Sequence, residues 1–173
     1  AALLVEGAGL GTAALVVAQN PDVADVFRGT ASAVVVESNA CLDDLPTRSP
    51  SDVRDRHAVF AGRLIAWKGA AIAIEALSRP EAAEWTLTVY GDGYERPRLE
   101  RLTRRLGLSE RVEFAGHRPR PEVLQAIARA EVFLFPSMHD QAGWVAAEAS
   151  AMGCPVVCLP LGGPPTLADR NAH

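Results

Sequence analysis

Short apolar runs alternate with longer amphipathic ones along most of this chain. AVVVES (33–38), HAVFAG (57–62), WTLTVYG (85–91), RVEFAG (111–116), EVFLFPS (131–137) and CPVVCLP (154–160) read as strands. Most are continuous rather than alternating, the pattern of strands covered on both sheet faces. KGAAIAIEALSR, YERPRLERLTRRLGL, RPEVLQAIARA and GWVAAEASAMG, which lie between them, carry apolar residues at helical spacing. Strand, helix, strand, helix with short connections predicts an α/β fold: a Rossmann-like parallel sheet of about six strands with helices on both faces. In such sheets ligands gather at the carboxyl ends of the strands. Four of the runs end there in Gly62, Gly91, Gly116 or Pro136-Ser137. Glycine at such a point lets the backbone approach a ligand, or simply makes a turn.

Two stretches fit the pattern less well. LVVAQN followed by PDVADVF reads as one more strand and helix, belonging to a neighbouring domain. DDLPTRSPSDVRDR (43–56) is polar and broken by proline, and reads as a surface connection. The expected organisation is therefore residues 1–30 as the tail of another domain and 31–173 as the main one, cut short at its C-terminus. The chain lacks an initiating Met, as a piece of a longer protein would.

Composition narrows the classes. The 173 residues are 49% apolar, enough for one full core, and the formal charge of −4 favours neither nucleic acid nor a membrane surface. Lys68 is the only lysine, a skew that high-GC coding explains by itself. Cys41, Cys154 and Cys158 follow no disulfide or zinc spacing, so core thiols in a reducing, cytoplasmic setting are expected. The apolar opening is interrupted by Glu6 and several glycines and lacks a basic leader, which argues against a membrane span or a signal peptide. GAGLGT (7–12) places Thr12 where a dinucleotide fingerprint needs its last glycine, and no clear strand precedes it.

Two motifs carry chemistry. GRLIAWKG (62–69) runs from a strand end into a helix start, with Arg63 and Lys68 exposed to that junction. Cations there oppose the helix dipole unless an anion joins them, and phosphate is the natural one. HDQAGWVAAEA (139–149) places Asp140 before a helix and Glu148 within it. A separation of eight residues corresponds to a rise of ~12 Å in a helix, too far for a proton-sharing pair. Asp140 is either an N-cap or a ligand contact, and Glu148, among alanines, needs a partner of some kind.

Together GRLIAWKG, VYGDG, RVEFAGH and FLFPSMHDQAGWVAAEASAMGCPVVCLPLGGPP, in that order, resemble the C-terminal half of retaining glycosyltransferases with the GT-B fold (group 1, family 4 type). The resemblance implies roles for individual residues. Arg63 and Lys68 would grip the donor diphosphate, Asp140 would face the donor sugar and Glu148 the ribose hydroxyls. The backbone at Gly143 and Trp144 would meet the phosphates, and that from Phe114 through Gly116 to His117 would frame the base. Ser137 completes the donor-binding set, and Gly162-Gly163 match a Gly-Gly that follows the last strand. Three positions depart from the family pattern: Asp140 replaces glutamate, Gln141-Ala142 replace Gly-Phe, and Thr166 stands where an acid is common.

The implied activity is transfer of a sugar from a UDP- or GDP-sugar to a glycan or glycolipid acceptor in a bacterium. No metal or cofactor is expected, because two cations face the diphosphate and no Asp-x-Asp motif occurs. The implied partners are the donor, an acceptor and an N-terminal domain that carries the family's histidine and offers any peripheral membrane contact. This chain alone is expected to bind donor without transferring sugar. A sugar-nucleotide epimerase of the same fold and a non-catalytic nucleotide-sugar-binding scaffold are the alternatives.

Overall fold

The computed structural model describes residues 14–18, 21–29, 31–36, 42, 44–140 and 143–161. GAGLGT, Cys41, Gln141, Ala142, Gly162, Gly163 and Thr166 lie outside them. Seven strands occur among the described residues: β1 (Val16–Ala18), β2 (Val34–Val36), β3 (Arg54–Ala61), β4 (Thr86–Tyr90), β5 (Val112–Gly116), β6 (Ala130–Phe135) and β7 (Val156–Cys158). The α-helices are α1 (Pro21–Phe27), α2 (Ala70–Ala76), α3 (Arg96–Arg105), α4 (Arg120–Arg129) and α5 (Trp144–Ala151).

β3 to β7 form one parallel sheet in the order β5-β4-β3-β6-β7. This is five strands rather than about six. The run AVVVES does form a strand, but β2 pairs in parallel with β1 in a separate two-stranded sheet. Residues on both sides of the expected boundary at 30 are thus hydrogen-bonded to each other. The chain runs outward from β3 to β5, then returns through α4 to β6 on the other side of β3. Strand order therefore reverses between β3 and β6, and a crevice opens outside their carboxyl ends.

Two apolar clusters hold the layers together. On one face Ala58, Phe60, Leu87, Val89 and Val112 pack against Ile74 and Leu77 after β3 and against Leu99 and Leu102 of α3. On the other, Val59, Ala61, Phe133 and Phe135 pack against Leu124 and Ile127 of α4 and Ala146 and Ala149 of α5. The alanines let α5 lie close to the sheet.

That second face is not apolar throughout. In β4 the sequence TLTVY sends Leu87 and Val89 one way and Thr86, Thr88 and Tyr90 the other, by the two-residue period of a strand. In β5, Val112 and Glu113 divide in the same manner. The polar side of β4 and β5, together with His57 and α4, walls a cleft of about 810 Å³ lined by Arg54, Tyr90, Glu113, Arg118 and Glu122 among others. His57 is buried at its floor, with Nδ1 2.9 Å from the Thr86 hydroxyl.

The loops at the carboxyl edge are joined backbone to backbone. The Gly62 N–H donates to Tyr90 O at 3.1 Å, Gly91 N–H to Gly116 O at 2.8 Å, and Leu64 N–H to Asp92 O at 2.9 Å. The close approach of the loops explains Gly91 and Gly69 without any ligand. A Cβ on Gly91, whose φ is +120°, would lie 1.9 Å from Gly62 O, and one on Gly69 (φ +75°) would lie 2.0 Å from Pro136 O.

Gly91→Ala should therefore destabilise the fold by more than about 3 kcal/mol, since strained φ and a backbone clash act together. Gly107 has φ +71° but open space around it, so Gly107→Ala should cost only about 1–2 kcal/mol. Urea denaturation of both variants checks this; equal losses would contradict the loop-packing role.

His57 makes a second prediction. Burial first, then the Arg54 charge, lowers its pKa below the ordinary 6.5, while Glu113 pulls the other way. The unfolded chain then takes up this proton before the folded one does. The stability His57 contributes is complete above about pH 6.5 and is lost as pH falls toward the folded pKa. Denaturation at pH 7.5 and 5.5 should show a smaller acid loss in His57→Gln than in the parent, and an equal loss would contradict the assignment.

Candidate functional site

The crevice outside β3 and β6 is built by the two segments that leave those strands. After β3, residues 62–65 pass into a single 3-10 turn, Ala66–Lys68, and Gly69 then caps α2 in the left-handed conformation. Lys68 thus precedes the helix rather than lying in its first turn. After β6, Pro136 and Ser137 are buried and lead to Asp140. The two segments are stapled: Met138 N–H donates to Trp67 O at 2.8 Å, and the Ser137 hydroxyl is 3.4 Å from the same carbonyl. Ser137, expected at the donor, spends its hydroxyl holding this loop, since its other contact is His139 O at 3.3 Å.

Across this staple Lys68 Nζ forms an ion pair with Asp140 Oδ2, and both side chains are mostly buried, at 18% and 16% exposure. The ammonium also lies 5.8 Å from the centre of the Phe135 ring, within cation–π reach. Asp140 Oδ1 accepts the Gly143 N–H at 3.2 Å. Gly143 is the N-cap of α5 with φ +59°, so Asp140 binds the first turn of that helix while holding Lys68. Asp140 thus ties down the approach to the helix, although the N-cap itself is Gly143. Trp144, the first residue of α5, is 45% exposed.

Glu148 lies on α5, one turn further along, and is only 8% exposed. Its partner is Arg120, the first residue of α4, whose Nε and Nη2 both reach Oε1, at 2.8 and 2.7 Å. Sequence reading missed Arg120. The signal was present in HRPRPEV, where a cation stands at a helix start as Lys68 nearly does. Nothing in a sequence links it to an acid 28 residues away.

The remaining expected residues fall beside these pairs. Arg63 is exposed and, with Tyr90, Asp92, His117, Arg118 and Val123, lines a cleft of about 360 Å³ at the ends of β3, β4 and β5. Gly116 turns the chain there with φ +73°. Phe114 is different: its side chain packs into the core on the α2–α3 face, so only its backbone could meet a ligand. Lys68, Asp140 and Glu148 do not line that cleft.

The thiols behave as core residues. Cys154 is buried and Cys158 half-buried, and burial pushes both thiols up from their ordinary pKa. Among the described residues no three His, Cys, Asp or Glu side chains are grouped to hold a metal ion, and no helix is long and apolar enough to cross a membrane.

Known proteins agree with this architecture. HepE from Anabaena, solved with UDP and glucose, superposes with a TM-score of 0.77 at 28% identity, over 95% of this chain and 49% of that one. The 2-deoxystreptamine glucosyltransferase of Streptomyces kanamyceticus is 32% identical over 92% of this chain and 40% of its own length. The lipopolysaccharide core biosynthesis glycosyltransferase LpsE of Rhizobium meliloti is 37% identical over 80% of this chain and 37% of its own. The chain thus spans less than half the length of these relatives. The parallel sheet and its helices match the GT-B glycosyltransferases. The family model for glycosyl transferases of group 1 matches residues 55–173, and with strand order, switch-point crevice and relatives in agreement, the chain belongs to that family.

Proposed function

We propose that this chain is the donor-binding half of a retaining glycosyltransferase that moves a sugar from a nucleoside-diphosphate sugar to a glycan or glycolipid acceptor. The observation that carries the reading is the mostly buried Lys68, held at the crevice between β3 and β6 beside the start of α5. An ammonium next to free helix N–H groups forms a site for a diphosphate. Arg63, on the segment after β3, adds a second cation from the side of the smaller cleft. Stabilising the departing diphosphate is an electrostatic task that two cations can perform, and metal independence is part of the proposal.

Asp140 would exchange part of its hold on Lys68 for the donor sugar while its other oxygen keeps α5 in place. Glu148 would accept the ribose hydroxyls, and the Gly116–His117 turn would lie against the base. UDP is the base-bearing probe of choice, because the HepE structure contains it. The glucosyltransferase and glycosyltransferase names of the relatives support transfer over epimerisation. An N-terminal domain would bring the acceptor and the catalytic histidine, with residues 1–30 as its tail and 31–173 as the donor domain. A cytoplasmic location belongs to the same reading.

Titration calorimetry of the chain with UDP should give a Kd on the order of micromolar to millimolar. Lys68→Ala should weaken UDP at least about tenfold while leaving uridine unchanged, since only the diphosphate loses a charge partner. Equal loss for UDP and uridine would remove the role of Lys68. No heat with either UDP or GDP would overturn the donor-binding reading itself.

A further inference from the structure

Arg120 is an odd residue for its place. It is the first residue of α4, after Pro119 at the N-cap and before Pro121. A positive charge there opposes the helix dipole, which an acid would have complemented. Its side chain is half exposed. What it does is converge on Glu148, giving Nε and Nη2 to the same oxygen, Oε1, at 2.8 and 2.7 Å. Oε2 accepts no hydrogen bond from any described residue, and no side-chain polar atom among them is both buried and unpartnered. Among the described residues Glu148 is therefore held by one oxygen, Oε1.

The surroundings give that anchor its value. Ala146, Ala147 and Ala149 beside Glu148 are buried and offer nothing that could orient a carboxylate. A carboxylate in such a setting is costly to leave unpaired, and without a fixed donor it would turn or take up a proton. The anchor also joins two parts of the proposed site. α4 begins three residues after His117, which lines the cleft with Arg63, whereas Glu148 belongs to α5, whose N-cap is tied to Asp140 and so to Lys68. One charge-assisted pair thus spans the base side and the ribose side.

We propose that Arg120 is a positioning residue for donor recognition: it fixes Glu148 by Oε1 so that Oε2 accepts a ribose hydroxyl. This rests on the donor-binding reading above. Arg120 itself makes no contact with the nucleotide, so its effect should pass entirely through the sugar hydroxyls of the nucleoside.

The experiment compares UDP with 2′,3′-dideoxy-UDP by calorimetry on the parent chain, Arg120→Ala, Arg120→Lys and the Arg120→Ala/Glu148→Gln double variant. The parent should prefer UDP. Arg120→Ala should weaken UDP by about tenfold, the loss of one oriented charge-assisted hydrogen bond, and leave the dideoxy compound unchanged. Arg120→Lys should recover part of the loss, and adding Glu148→Gln should cost little more. If Arg120→Ala fails to fold, Arg120→Lys carries the same comparison with a smaller loss, because an ammonium cannot place two N–H groups as the guanidinium fork does. Equal weakening of both nucleotides, or no weakening of UDP, would overturn the assignment. So would a parent chain that binds the two nucleotides equally. A parent chain that binds neither UDP nor GDP overturns the donor-binding reading instead, and this residue's role with it.

Discussion

The reversal of strand order between β3 and β6 is the constraint on which the rest depends. Because the chain leaves β3 toward one face and β6 toward the other, the two departing segments cannot cover the space between them. Among the described residues they meet at a few points: Met138 and Ser137 on the Trp67 carbonyl, Gly69 against Pro136, and Lys68 on Asp140. Each point fixes the next. The missing Cβ of Gly69 permits the approach, the approach brings Lys68 to Asp140, and Asp140 carries the position through to Gly143 and α5. The start of a helix is thereby locked beside a cation.

The charges follow a common plan. Two cations, Lys68 and Arg120, stand at or just before helix starts, where the dipole disfavours them. Each is matched by an acid from α5 or its approach, Asp140 in one case and Glu148 in the other. Burying such a pair gains little net stability, since desolvation offsets most of the attraction. Its effect is on orientation, because removing either member leaves a charge without a partner in a confined place. Under the proposed function, a diphosphate arriving at Lys68 would meet a cation already in position and compete with Asp140, whose second oxygen stays on α5.

Much of this was legible in the sequence, and the failures have physical reasons. The layer order followed from continuous apolar runs, yet TLTVY alternates, and its Tyr90 joins the wall of the large cleft. AVVVES has the composition of a central strand, but composition does not choose a partner, and it pairs with Val16–Ala18. The dipole argument found Lys68 although the helix starts two residues later than expected. It applied equally to Arg120, which went unnoticed because its acid is distant in sequence. Gly91 could be read as room for a ligand or as a turn, and Gly69 was not singled out. Their neighbours are instead the carbonyls of Pro136 and Gly62, a fact that only the assembled loops reveal. At Phe114 only the backbone was expected at the binding turn, and the two-residue period of β5 sends its side chain inward with Val112.

The most direct test of the central claim is a crystal structure of the chain with UDP. The diphosphate should lie in the crevice between β3 and β6, within hydrogen-bonding distance of Lys68 Nζ and the N–H groups at the start of α5. UDP seated instead in the cleft between α4 and the polar face of β4 and β5, with the Lys68–Asp140 pair untouched, would contradict it.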